Sequence, residues 1–226
     1  MKFISSLRNN KIFVSSFSLL AFLISSLGIA LLIGRIFIDE HAFDRFLVTI
    51  FYFTTQSNFL VFAVMLLFLL KKDGTKWFKI LSLIATVDIT LTGLVFHIFL
   101  TTYVANINIM QHILHTMVPL LYITFYIVIL DNKFKLNQFW IGLIHPLVFL
   151  VSVFTWIHPL FGDRIELIML DFQGASYVYP FLDPATYTNG FVGVLLFNLG
   201  LLMPVIVLIT IILIFIKSKI EKAINQ

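Results

Sequence analysis

Residues 46–70 read FLVTIFYFTTQSNFLVFAVMLLFLL, a run without a single charged side chain. A helix needs roughly 20 apolar residues, at about 1.5 Å rise each, to cross the hydrocarbon of a bilayer, and this run is long enough. Its apolar residues do not alternate with polar ones, so it reads as a helix and not as a barrel strand. About a third of the way in, however, Thr54-Thr55-Gln56-Ser57-Asn58 sets five consecutive polar side chains where each costs free energy.

Working outward, five more runs have the same character: Ile12 to Ile38, Trp77 to Tyr103, Ile109 to Leu130, Gln138 to Leu160 and Asn189 to Ile216. The chain of 226 residues is 60% hydrophobic and 12% charged, with mean hydropathy +1.04, too little polar surface for a soluble globule. The expected fold is all-α: one polytopic membrane domain over residues 1–226, a bundle of six transmembrane helices joined mostly by short connections. Lys2, Arg8 and Lys11 ahead of the first run resemble a signal peptide, but its apolar length marks an uncleaved first helix. The exception to the short connections is residues 161–188. This segment holds Gly162, Gly174, Pro180 and Pro184, and Thr188 or Asn189 is placed to cap the last helix. Its Leu167 to Leu170 and Tyr177 to Leu182 are apolar enough for a lid that covers the bundle or touches lipid. The chain shows no internal repeat and no paired Gly/Pro-broken helices of the kind that inverted-repeat transporters carry.

The net charge of +4 is explained by topology and requires no nucleic-acid partner. All 11 lysines, with Arg8, fall on one predicted face, against Arg35, Arg45 and Arg164 on the other, where seven of the 11 acids gather. This asymmetry places both termini in the cytoplasm. With no cysteine, disulfides, thiolate metal sites and a cysteine nucleophile are excluded.

The polar residues inside the runs fall on particular faces. Thr55 and Asn58 lie three apart, one turn along the second helix. His115, Pro119, Tyr122 and Tyr126 form a stripe down the fourth, where Pro119 frees the His115 carbonyl and His112 lies one turn before it. Thr86, Thr90, Gly93 and His97 share a face of the third helix, and Asp88 lies on the opposite side near mid-membrane, with His145 of the fifth helix as a possible partner. By depth, Thr55, His97, His112, His115 and His158 occupy the outer half, which favours one pocket beneath the long loop.

A threonine hydroxyl becomes a nucleophile when a base takes its proton, and histidine suits that task near neutrality. Thr55 and His115 would form such a dyad if their helices touch, with Asn58, Gln56 or a second histidine at the oxyanion. The substrate at that depth would be a lipid ester entering sideways. No nucleophile elbow, zinc-protease motif or phosphate loop is present, and no cofactor is implied. His112-x-x-His115 could supply two zinc ligands, with His97 or His158 as a third, but orienting partners are not legible.

Four motifs in order, Phe53-Thr54-Thr55, His112-Ile113-Leu114-His115-Thr116 with Pro119, Trp156-Ile157-His158, and Tyr177-Val178-Tyr179-Pro180-Phe181-Leu182, resemble the androgen-induced-gene family of membrane proteins. That family includes the androgen-dependent TFPI-regulating proteins, and the chain is more similar to its bacterial relatives, known as predicted six-transmembrane proteins. The resemblance implies threonine hydrolysis of fatty acid esters of hydroxy fatty acids, with Thr55 as nucleophile and His115 as its partner. It also implies a multi-pass protein of the bacterial plasma membrane. Animal members tend to carry Asp at the position of Asn58 and lack most of residues 162–176. His112, Asn58, His97 and His158 are the expected supporting or substrate-binding residues. Two other classes stay open: a small proton-coupled carrier built on Asp88 and His145, and a non-catalytic scaffold or lipid-binding protein.

Overall fold

The computed structural model describes residues 2–101, 107–169 and 175–224, and every regular element in them is helical. A short helix α1 (Lys2–Asn9) leads into α2 (Lys11–Phe37), whose first turn is capped by the Asn10 side chain accepting from the Phe13 N–H. The chain then forms α3 (Ala42–Phe51), α4 (Phe53–Leu69), α5 (Lys76–Leu100), α6 (Ile109–Ile129), α7 (Leu136–Ile168) and α8 (Phe191–Ile224). Among the described residues five of these are long and apolar enough to cross a membrane, and α3 with α4, bent by 74°, meets the same test as a pair and counts as a sixth where the two are one span.

Polar contacts at the two ends fix the direction of each crossing. At one end Arg8 pairs with Glu221 at 2.8 Å and donates to the Val128 carbonyl, while Lys217 pairs with Glu221 and donates to the carbonyls of Ile127 and Leu130. These bonds satisfy the last carbonyls of α6, which a helix cannot satisfy internally. Asn132 donates to the Lys79 carbonyl and the Ser82 hydroxyl, placing the start of α5 at this end too. At the other end Arg45 pairs with Asp39 and Arg164 with Asp44. Both ends of the described chain therefore share the lysine-rich face. The exposed leucines of α2 and α8, such as Leu20, Leu23, Leu196 and Leu208, point outward as a lipid-facing surface would. Trp77 and Trp140, exposed near the lysine-rich face, sit where interfacial aromatics belong.

Three expected boundaries differ, each for a physical reason. The second run is not one straight helix: Tyr52 is extended at φ −69°, ψ 130° and separates α3 from α4. The fifth helix continues past Leu160 to Ile168, because Pro159 follows a π-helical turn over Val153–Ile157. Widening the preceding turn relieves the clash between a proline ring and the carbonyl four residues back. Pro119 and Pro204 follow π-turns over Ile113–Met117 and Asn198–Leu202 in the same way. The last helix begins at Phe191, after Gly190 at φ +58°, and neither Thr188 nor Asn189 occupies the cap position. Tyr103, the expected end of the third helix, lies outside the described residues, as do Leu170 and Gly174 of the long loop.

The described remainder of that loop folds back as three 3-10 turns, at Ala175–Tyr177, Pro180–Leu182 and Pro184–Thr186. Val178, Tyr179 and Leu182 are buried, so this segment covers the bundle.

Candidate functional site

The polar run Thr54–Asn58 sits where the membrane helix is broken, and its side chains repair the break. The end of α3 leaves carbonyls without partners and the start of α4 leaves N–H groups without partners. Gln56 Nε2 donates to the Ile50 carbonyl at 3.0 Å, and the Thr54 N–H donates to the Tyr179 hydroxyl at 3.3 Å. Ser57 shares a 2.8 Å hydrogen bond with Thr92 of α5. Thr55 is 3% exposed, and neither its hydroxyl nor its backbone N–H has a hydrogen-bond partner among the described residues.

Asn58, one turn along from Thr55, donates to the Thr54 carbonyl at 2.8 Å and across to the Leu114 carbonyl at 3.3 Å. That second bond brings the α4 face bearing Thr55 against the π-turn of α6 that carries His115. His115 is 8% exposed, stacks on Phe96 with ring centroids 3.9 Å apart, and leaves Nδ1 without a partner. The Pro119-freed carbonyl of His115 faces α5 at Gly93, where an added Cβ would lie 3.2 Å from it. The small residue thus lets α5 approach the histidine segment. Thr55 and His115 make no hydrogen bond with each other.

The supporting residues are placed differently. Asn58 was read as an oxyanion donor, but both of its bonds from Nδ2 go to backbone carbonyls, and its remaining atom, Oδ1, is an acceptor. Gln56 likewise gives its amide to Ile50. His112 is exposed. His97 is also exposed, and its Nε2 lies 3.0 Å from the Thr116 hydroxyl. His158 faces the loop: Nδ1 contacts the Ser176 carbonyl at 3.1 Å, and the ring stacks on Tyr177 at 3.6 Å. It anchors the cover and does not reach Thr55. Among the described residues no three His, Asp or Glu side chains gather as metal ligands would.

Asp88 and His145 do meet. Asp88 is 0% exposed, and its Oδ2 lies 2.8 Å from His145 Nδ1, at an angle short of full hydrogen-bond alignment. His145 Nε2 lies 3.0 Å from Gln56 Oε1. Because Gln56 must present its NH2 to Ile50, its oxygen faces the ring, so Nε2 carries the proton. The ring's other nitrogen, Nδ1, is the atom that faces the Asp88 carboxyl.

Sequence reasoning singled out Tyr179 within its motif without giving it a partner. It is buried against α4, and burial pushes its hydroxyl up to about 12, so it remains a hydrogen-bond donor at neutral pH. Beneath it lies a cavity of about 70 Å³ bordered by Thr54, Thr92, Tyr179 and Asn198 among apolar side chains. Neither Thr55 nor His115 borders this space, although each neighbours a residue that does. Comparison of the chain with protein-family models, curated proteins and solved structures returned no match.

Proposed function

We propose that the protein is an intramembrane hydrolase of a lipid ester, with Thr55 as nucleophile and His115 as general base. The observation that carries this reading is the state of Thr55: a hydroxyl and an N–H on one buried residue, both without partners, at the start of a helix that Asn58 ties to the His115 segment. The motif resemblance supports the same pair.

In this mechanism the Thr55 oxygen attacks the ester carbonyl carbon while its proton passes to His115, directly or through one water. Nδ1 of His115 has no hydrogen-bond partner, and in the tautomer protonated at Nε2 it offers the lone pair for that proton. The Thr55 N–H, carrying the partial positive charge of an open helix start, donates to the oxyanion as it forms. His115 then returns the proton to the departing alkoxide. Water attacks the acyl-threonine with His115 again as base, releasing a fatty acid and restoring the hydroxyl. The lysine asymmetry and the resemblance together point to the plasma membrane of a bacterial cell, with membrane lipids as surroundings and a lipid ester as substrate.

The test is hydrolysis of a long-chain fluorogenic ester by the purified protein in lipid nanodiscs. Thr55→Ala and His115→Ala are each expected to lower the rate by about a hundredfold or more, in protein that remains folded. A rate unchanged in both variants would refute the mechanism. Loss of ester cleavage alongside Asp88-dependent proton uptake would instead identify a carrier, and no turnover of any ester a scaffold.

A further inference from the structure

The cavity under the loop is independent of Thr55 and His115. Helices α7 and α8 touch closely near the lysine-rich face, where an added Cβ on Gly142 would clash with the Thr210 hydroxyl oxygen. Further out the cavity separates them, with Pro146, Phe149 and Leu150 of α7 facing Leu202, Met203 and Ile206 of α8. Tyr179, Phe181 and Leu182 roof this space, and Asn198 Nδ2 lies 3.4 Å from the Phe181 carbonyl, tying the roof to α8. Phe154 of α7 also meets Phe191 of α8 edge-on, with centroids 5.2 Å apart. The space of about 70 Å³ compares with the roughly 10–15 Å³ that one water requires, but its long apolar walls offer water almost no partners.

Part of the cavity wall is polar. The Tyr179 oxygen already accepts from the Thr54 N–H, and the Thr54 and Tyr179 hydroxyls lie 3.4 Å apart. Two hydroxyls facing each other use one proton between them. The other proton has no acceptor among the described residues and borders the cavity. A mostly apolar cavity with a hydroxyl donor on its wall and no charged side chain matches methylenes ending in a carbonyl oxygen.

We propose that this cavity binds a single fatty acyl chain between α7 and α8, with its carbonyl oxygen accepting from the Thr54–Tyr179 hydroxyl pair. The chain belongs either to a membrane lipid or to a free fatty acid. The site stands on its own geometry and survives if the hydrolase reading fails.

The experiment is photolabelling in nanodiscs with two probes, a diazirine-bearing stearic acid and a phosphatidylcholine carrying the same chain, followed by peptide mapping. Label is expected on Leu150 and Met203 above the lipid-facing Leu196 and Leu208, with the more effective probe identifying the source of the chain. Ile206→Trp fills the cavity and is expected to cut that label at least tenfold in protein that elutes as a single folded species. Should that variant not fold, Leu150→Phe replaces it. Thr54→Val with Tyr179→Phe removes the donors and is expected to weaken competition by unlabelled oleate about threefold to tenfold. Thr55→Ala should keep the label, which separates this site from the hydrolase mechanism. Label no higher in the cavity than on Leu196 and Leu208, or label that persists in the filled variant, would overturn the proposal.

Discussion

Replacing His145 by Phe keeps a ring to stack on Phe53, whose centroid lies 5.0 Å away, while deleting both nitrogens. The change strands Asp88, which is 0% exposed and has no other hydrogen-bond donor among the described residues, and leaves Gln56 Oε1 without its ring partner. Two limits bound the cost. An uncompensated buried charge costs about 3–5 kcal/mol, whereas loss of one interhelical polar contact in a membrane costs about 0.6–1.7 kcal/mol. A carboxyl buried without a partner is held as the neutral acid, which leaves two polar groups unsatisfied at roughly 1–3 kcal/mol each. About 3 kcal/mol is expected for His145→Phe, and a similar loss for Asp88→Leu. In the double variant no carboxyl remains to be stranded, so the summed cost should fall short of additivity by about 1–3 kcal/mol. Reversible unfolding in mixed micelles, followed by helical circular dichroism, measures all four proteins. Additivity within about 0.5 kcal/mol would show that the 2.8 Å contact carries no coupling, and would refute the reading of Asp88 and His145 as partners.

Three further outcomes follow from single contacts. Gly142→Ala drives a Cβ into Thr210 and should destabilise the protein by about 1–3 kcal/mol, with Thr210→Ala in the same chain recovering most of it, as read by thermal unfolding in detergent. Lys217→Met removes the donor to the Ile127 and Leu130 carbonyls and one partner of Glu221; a loss of about 3–5 kcal/mol is expected by the same assay, and a loss below about 1 kcal/mol would contradict the stapling of α6 by the C-terminal helix. Gln56→Leu unpairs the Ile50 carbonyl and His145 Nε2 together, so amide hydrogen exchange at the α3–α4 junction should quicken while exchange in α5 stays slow.

The crossings were legible because apolar length is a property of contiguous sequence, and their orientation because lysines mark one face whatever the packing. The Asp88–His145 contact was legible from depth alone, since a buried carboxylate demands a partner and few were in reach. The break at Tyr52 was not legible, for a physical reason. The Gln56 amide and the Tyr179 hydroxyl mend the interrupted hydrogen-bond ladder at the Ile50 carbonyl and the Thr54 N–H, and side chains that mend a helix look, in sequence, like side chains that do chemistry. Pro159 hid the extension of α7, because a π-turn over Val153–Ile157 absorbs the proline that would end an ideal helix. The roof over the cavity was recognisable as an apolar loop, yet the meeting of Tyr179 with Thr54, 125 residues apart, belongs to tertiary packing. For the same reason the roles of Asn58 and His158 could not be read from helical facing. Their bonds go to the backbones of Leu114 and Ser176.

The central claim concerns one oxygen atom, and covalent labelling addresses it directly. Purified protein in nanodiscs, treated with a long-chain alkyl fluorophosphonate and mapped by peptide mass spectrometry, should carry the phosphonyl group on Thr55. The adduct should be absent from Thr55→Ala and strongly slowed in His115→Ala. An adduct on a different residue, or labelling of the wild-type and Thr55→Ala proteins at equal rates, would contradict the account.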